Sequence, residues 1–383
     1  MHDVIVVGAG PAGASAAMEL ARAGYKALIL EREKMPRYKT CGGAVPYNFF
    51  LTLPERVQKT KVSFLKDPVF MGPRGKAVSP GETVKIAGVM RADFDHAFAQ
   101  SAVDEGAQLT DAEPVLSLCE REDRVEIRTA RGMLEARYVV GADGSAGIVR
   151  RSLGLGKKIG SAAALEVEIT PRGKMTRDDR TVFHLTFIRD GYAWIFPKGD
   201  TDSMGILSYR RDKGVVKSML QRWAEHCGYA LDGFRIHGHP IPVWKGRCRL
   251  ATRRALLAGD AAGTAEPFGG EGIRYAIKSG RLAAEFIRHR MEGKPARLSY
   301  TDILYKEIHS DFKYSRIFAA FYYQFPRFCF SIVEEHPQLA TDVMGRVLYG
   351  EMSYKTFSRK ALGAIARSFF VPRARPAGLF QSE

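Results

Sequence analysis

Apolar positions fall into two rhythms along this chain. In the first, a short unbroken apolar run meets a glycine-rich turn and then apolar residues at helical spacing. Val4-Ile5-Val6-Val7 runs into Gly8-Ala9-Gly10-Pro11-Ala12-Gly13, and Ala27-Leu28-Ile29-Leu30 ends in Glu31, eighteen residues beyond Gly13. This order predicts strand, tight turn, helix and strand over residues 1–32. Phe94, Ala97, Phe98, Ser101 and Ala102 predict a helix from Arg91 to Val103. Strands are expected at Val125 to Thr129 and Gly132 to Val140, the second feeding Gly141-Ala142-Asp143-Gly144. Ala255 to Asp260 reads as a return to the first sheet, and Gly272 to Met291 as a long helix. The second rhythm is strand-like. Leu165 to Ile169, Thr181 to Phe187, Tyr192 to Pro197 and Ser203 to Tyr209 predict an antiparallel sheet, interrupted by a helix from Val215 to His226. Residues 33–90 read as irregular, residues 299–370 as mostly helical, and the stretch from Pro372 as frayed.

The first turn carries chemistry. Gly8 lets the chain leave the strand sharply, Gly10 lets a pyrophosphate approach a helix N-terminus, and Gly13 lets the helix pack on the sheet. Glu31 suits a ribose 2′-hydroxyl. A plain glycine-rich strand–helix turn would explain the glycines alone; the spaced acid and the flanking elements favour a dinucleotide. The predicted class is therefore mixed α/β, with a discontinuous Rossmann-like dinucleotide domain, an inserted antiparallel sheet and a helical C-terminal region.

At 383 residues the chain has room for two domains. Its apolar runs near the N-terminus have strand length, so no membrane-spanning helix is expected. With no leader-like start and five scattered cysteines lacking any CxxC, the expected setting is cytoplasmic, with no metal site. The net charge of +16 points to an anionic partner. No nucleic-acid module is recognisable, so a lipid surface or phosphorylated substrate is favoured over nucleic acid; a solvated basic surface is the bland alternative.

Three pieces together, the opening fingerprint, Gly141-Ala142-Asp143-Gly144-Ser145 and Gly259-Asp260-Ala261-Ala262-Gly263, resemble FAD-dependent oxidoreductases of the p-hydroxybenzoate hydroxylase-like fold. Four further segments resemble the geranylgeranyl reductase family: Pro36-Arg37-Tyr38-Lys39-Thr40-Cys41-Gly42-Gly43, Arg91-Ala92-Asp93-Phe94-Asp95, Tyr192-Ala193-Trp194-Ile195-Phe196-Pro197-Lys198 and Pro267-Phe268-Gly269-Gly270-Glu271-Gly272-Ile273. The likeness covers about residues 1–290 and fades beyond. It implies an FAD-binding domain at 1–156 and 255–291 with the irregular insertion 33–90, a sheet domain for substrate at 157–254, and a helical region at 292–383. The implied cofactor contacts are Gly8, Gly10, Ala12, Gly13, Glu31, Arg32, Cys41, Gly42, Gly43, Ala44, Arg91, Val115, Asp143, Asp260, Gly270, Gly272 and Ile273.

Tyr192, Trp194 and Phe196 alternate on a strand and share one face. That face suits the roof of an apolar pocket over the flavin, or equally a packed core. Cys41 reads either as a thiol beside the flavin or as a small packing residue, and Arg91 either as a partner of an anion or as an exposed helix-start arginine. The aromatic stretch Phe318 to Phe330 suits a tunnel wall or a membrane surface, and Lys355, Arg359, Lys360 and Arg367 suit the basic side of an amphipathic helix. The resemblance implies reduction of isoprenoid C=C bonds, with hydride from N5 of reduced FAD and a proton from the flavin, from water or from a side chain, for which Cys41 and Tyr192 are the candidates. NADPH or ferredoxin is the implied electron donor. A peripheral position at the inner face of the membrane and an electron-donor protein partner accompany that reading. An aromatic or quinone hydroxylase on the same fold is the alternative, and a membrane-surface electron-transfer flavoprotein a further one. The Cys41-Gly42-Gly43 and Tyr192–Pro197 segments favour the reductase; a flavin-dependent halogenase has only a partial echo there.

Overall fold

The computed structural model describes residues 1–79, 85–170, 180–210, 213–295, 297–347 and 350–370. The strands in chain order are β1 (His2–Val7), β2 (Ala27–Leu30), β3 (Ala44–Pro46), β4 (Val62–Met71), β5 (Ala77–Val78), β6 (Ile86–Val89), β7 (Gln108–Thr110), β8 (Val115–Glu120), β9 (Val125–Thr129), β10 (Met133–Gly141), β11 (Ile159–Ile169), β12 (Arg180–His184), β13 (Gly191–Lys198), β14 (Thr201–Ser208), β15 (His237–Trp244) and β16 (Ala255–Leu257). The longer helices are α1 (Pro11–Arg22), α2 (Arg91–Asp104), α3 (Lys213–His226), α4 (Ile273–Met291), α5 (Ser310–Gln324), α6 (Pro326–Glu335) and α7 (Tyr354–Phe370).

Two sheets organise the described residues. The first runs β7-β2-β1-β10-β9-β8, with β16 also on β10. Its centre is parallel: β1 lies between β2 and β10, and β16 joins the last residues of β10 in the same sense. The first residues of β10 instead form an antiparallel pair with β9. Every residue of β2 is buried, as the unbroken apolar run requires of a strand covered on both faces. Helices α1 and α4 pack closely, with Ser15 Oγ of α1 donating to Ile277 O of α4.

The second sheet runs β15-β11-β14-β13-β12-β4-β6-β3, with β5 on β4. The expected strands from residue 165 to 209 are present, but β11 starts at Ile159 and β12 ends at His184, before the expected Phe187. The reading of residues 33–90 as irregular is corrected. β3, β4, β5 and β6 lie there, and β4 pairs with β12 in parallel, so the sheet is mixed and draws on both sides of α2 in sequence. Proline and glycine punctuate that region without preventing strands: β3, β4, β5 and β6 pair among themselves, and β4 alone is joined to the distant β12. Helix α3 packs on β11 and β14, burying Trp223 on one face of this sheet. Helices α5, α6 and α7 gather near the other face around Phe330, Tyr354 and Phe357. The helical expectation for 299–370 matches these elements; the expectation for the stretch from Pro372 lies outside the described residues.

Candidate functional site

Where the two sheets meet, a cavity of about 930 Å³ opens, near the upper end of the ~300–1,000 Å³ usual for ligand sites. Its wall includes Gly8, Gly10, Ala12, Glu31, Arg32, Cys41, Gly42, Gly43, Ala44, Arg91, Val115, Asp143, Asp260, Gly270, Gly272 and Ile273, and on the far side Tyr192, Trp194 and Phe196. Gly13 is the exception among the expected cofactor contacts. A Cβ there would stand 1.9 Å from Gly8 O and 3.1 Å from Val6 Cγ1, so Gly13 serves helix–strand packing and is not part of the wall.

The phosphate end is built from α1 and its surroundings. The N-terminal residue flanking α1 is Gly10, and no side chain caps the helix. A Cβ on Gly10 would have no nearer neighbour than Arg37 Nη2 at 3.8 Å. The protein's own packing does not demand glycine there; an approaching ligand does. Helix α1 thus turns free N–H groups and a positive dipole end toward the cavity. Arg37 adds charge: its Nε lies 3.2 Å from Glu31 Oε2 and its Nη1 2.9 Å from Asp95 Oδ2. Arg91 grips the same Asp95 with two bonds of 2.8 Å. Arg91 is therefore buried and paired, which excludes the exposed helix-start arginine. Burial opposes its charge, but Asp95 more than restores it and its pKa lies above the usual arginine value. Glu31 Oε2 also accepts from Ala9 N at 2.9 Å, tying the acid of the second strand to the first turn. Asp143 does structural work as well, accepting from Val149 N at 2.9 Å.

Asp260 sits in the turn after β16, with His239 Nε2 3.8 Å away and Lys39 Nζ 2.6 Å from the same imidazole nitrogen. Burial pushes the Asp260 carboxyl up, but His239 and Lys39 outweigh it and hold the pKa below the usual carboxylate value. Burial lowers the pKa of both Lys39 and His239.

The flavin end would be held between two glycine segments. Cys41 N donates to Glu166 Oε2 at 2.6 Å, Glu166 Oε1 accepts from Ser203 Oγ, and Ser203 Oγ accepts from Trp194 Nε1 at 3.2 Å. Buried Glu166 thus ties the Cys41–Gly43 loop to the aromatic strand. Opposite, Gly272 flanks α4, and Glu271 Oε1 accepts from Arg274 N at 2.9 Å in its first turn. The loop before it is pinned atom by atom. Glu266 accepts from Phe268 N at 2.7 Å and Gly269 N at 2.6 Å, while Tyr209, Tyr323 and Tyr192 donate to the carbonyls of Pro267, Phe268 and Gly269. The start of α4 thus also borders the cavity, with Gly270, Gly272 and Ile273 in its wall. These residues fit FAD: the glycine cleft with Arg37 and Arg91 would take the pyrophosphate, and Asp260 would accept from a ribityl hydroxyl.

Beyond this polar half the wall turns apolar. Tyr192, Trp194 and Phe196 stack along β13 with ring centroids 5.9 and 6.1 Å apart. Trp194 lies across Gly205 of β14; a Cβ there would meet its Cζ2 at 2.1 Å. Phe70, Phe183, Leu207, Ile241 and Phe268 complete the chamber. The Tyr192 phenol donates to Gly269 O at 2.6 Å, and burial raises its pKa above the usual phenol value.

Sequence reasoning missed Asp95 and Arg37 as site residues, although both lie within motifs it quoted. It also missed Lys39, likewise inside a quoted motif, and Glu166, His239 and Glu266, whose roles depend on strands and loops meeting in space and leave no local spacing to read.

A family described as FAD binding domain matches residues 1–45 and 72–299. The chain is 30% identical over 343 residues to the geranylgeranyl diphosphate reductase of Rhodobacter capsulatus, covering 84% of each protein. The chain belongs to the geranylgeranyl reductase family of FAD-dependent oxidoreductases. It is also 31% identical over 308 residues to the chloroplastic geranylgeranyl diphosphate reductase of Arabidopsis thaliana, spanning 74% of this chain and 65% of that protein. A solved geranylgeranyl bacteriochlorophyll reductase-like protein from Thermoplasma acidophilum shares the fold, with a TM-score of 0.73, 23% identity and 96% of each chain covered. The protein is thus an FAD-dependent oxidoreductase with FAD as its cofactor.

Proposed function

We propose that this flavoenzyme saturates C=C bonds of a geranylgeranyl-type lipid. The observation that carries the reading is one continuous cavity, half a dinucleotide cleft and half a chamber walled by Phe70, Phe183, Tyr192, Trp194, Phe196 and Phe268. An isoprenoid offers no polar handle, so it must bind by shape, and each CH₂ buried contributes about 0.8 kcal/mol. The relatives' named substrate, geranylgeranyl diphosphate, suits such a chamber. When bound and reduced, FAD supplies the hydride equivalent.

The chain's own residues do the rest. The Tyr192–Trp194–Phe196 stack holds the alkene against the ring and keeps water away from it. The Glu166 tie fixes the Cys41–Gly43 loop relative to that stack. Tyr192 has its hydroxyl hydrogen on Gly269 O, so in this reading it steadies the loop, and the proton reaches the second alkene carbon from Cys41. The test is to reduce the purified holoprotein without oxygen and add geranylgeranyl diphosphate in detergent. Flavin re-oxidation with two hydrogens gained per alkene is expected, and Cys41→Ser should slow the re-oxidation step while leaving FAD bound. Reduced flavin that persists until oxygen is admitted, and then hydroxylates a quinone or phenol, would overturn this reading.

A further inference from the structure

Helix α5 has two unlike faces. Inward, Phe318 and Tyr322 pack on Phe268 with ring centroids 4.8 and 5.3 Å away, and Phe268 lines the cavity. Outward, Ile317, Phe321 and Phe325 are 58%, 40% and 51% exposed. Ile317 and Phe321 lie one turn apart on α5, and Phe325 follows at its junction with α6. Phe321 touches Phe325 at 5.4 Å and Phe328 of α6 at 6.5 Å, so the corner between the two helices carries an aromatic cluster facing out.

Basic residues flank this cluster, and the acids beyond it on α6, Glu334 and Glu335, stand at the far end of that helix, with Glu334 2.9 Å from Lys76. From Phe312 to Val333 the sequence holds Lys313, Arg316 and Arg327 and no acid. Lys313 and Arg327 are exposed. The acid just before them, Asp311, faces α7, where its two oxygens accept from Tyr354 N and Lys355 N at 2.9 and 3.1 Å. On α7, Phe357 packs inward on Phe318 at 5.0 Å while Lys355 and Arg359 are exposed.

We infer that the α5–α6 corner docks on an anionic lipid bilayer. Ile317, Phe321 and Phe325 would enter the headgroup–acyl boundary, with Lys313 and Arg327 among the lipid phosphates. A second copy of the chain is the poorer occupant: a two-fold contact sets the patch against itself and would bring the basic rim against the same basic rim. Among the described residues no helix is long and apolar enough to cross a membrane, so the contact is interfacial. One helix, about 10 Å across, then separates the bilayer from the Phe268 wall of the cavity. The purpose of that proximity, delivery of a membrane-borne isoprenoid, rests on the proposed lipid reduction; the docking itself does not.

The test floats full-length holoprotein with vesicles of phosphatidylcholine alone or mixed with phosphatidylglycerol. Flotation only with the anionic vesicles, weakened by salt, is expected. The variant Ile317→Ser/Phe321→Ser/Phe325→Ser should bind vesicles about tenfold or more weakly, yet keep its FAD and its turnover of detergent-dispersed substrate. Lys313→Glu/Arg327→Glu should lose the preference for anionic vesicles. Wild type that stays unbound, or serine variants that float equally well, would overturn the inference. So would a dimer that the serine variant converts to monomer without any flotation. A protein that floats as expected but reduces no isoprenoid would sink the lipid-reductase reading and leave the docking surface standing.

Discussion

Around Gly10 the cavity wall is backbone, whereas around Trp194 it is side chain. The two halves of the site therefore tolerate change differently. In the phosphate half, a Cβ on Gly13 would stand 1.9 Å from Gly8 O, a clash with main chain that no side-chain movement relieves. In the aromatic half, rings several ångströms apart fill the space, and a truncation leaves room without displacing main chain. Tight backbone contact writes itself into sequence as glycine at fixed spacing; a chamber shaped by rings accepts many sequences of similar volume.

Substitutions should separate the halves. Gly13→Ala is expected to have the largest effect, costing more than about 3 kcal/mol and leaving little folded flavoprotein in a thermal melt. A folded, FAD-loaded Gly13→Ala protein would mean that α1 is free to retreat. Asp95→Ala takes from Arg91 its carboxylate partner and leaves Arg37 only Glu31, and chemical denaturation should report a loss of about 3–5 kcal/mol. Gly10→Val points into the cleft and not into the protein. Its circular dichroism should match wild type while FAD binds about 100-fold more weakly, a loss close to 2.7 kcal/mol. Unchanged FAD affinity would move the pyrophosphate elsewhere.

Trp194→Ala reports on the other half. It should raise KM for the geranylgeranyl substrate about thirtyfold, from roughly 2 kcal/mol of lost apolar contact, with FAD affinity changed less than about threefold. Equal losses of FAD and substrate would erase the contrast between backbone wall and ring wall.

The smallest effect concerns His184 at the end of β12. Burial, helped by His226, pulls its pKa from 6.5 to about 4. Between those values the unfolded chain takes up a proton that the folded chain refuses. Its contribution to stability is complete above pH 6.5 and drains away as the pH falls toward 4. His184→Gln should flatten that part of the pH–melting curve; an unchanged curve would mean that the ring is wetter than its burial implies.

The opening turn, Asp143, Asp260 and the Gly269–Gly272 loop were legible because each rests on a local backbone demand. Arg37 and Asp95 were half legible: they stood within quoted motifs, but their ion pair spans fifty-eight residues and has no spacing of its own. Strands β3 to β6 were read as irregular because they are short and interrupted by proline and glycine; they pair among themselves, and β4 alone joins them to β12, more than a hundred residues away in sequence. The Trp194–Ser203–Glu166–Cys41 tie was invisible because Glu166 lies far in sequence from Cys41.

What the sequence determined by itself was the dinucleotide cleft, the order of elements and the aromatic face of β13, since steric limits on backbone and the two-residue repeat of a strand act over a few neighbours. Only the tertiary structure decided which carboxylate holds which arginine, which residues join the cleft to the aromatic chamber, and which side of α5 faces water. Those depend on the register between distant strands and on what covers each face, and neither is a property of any local stretch of chain.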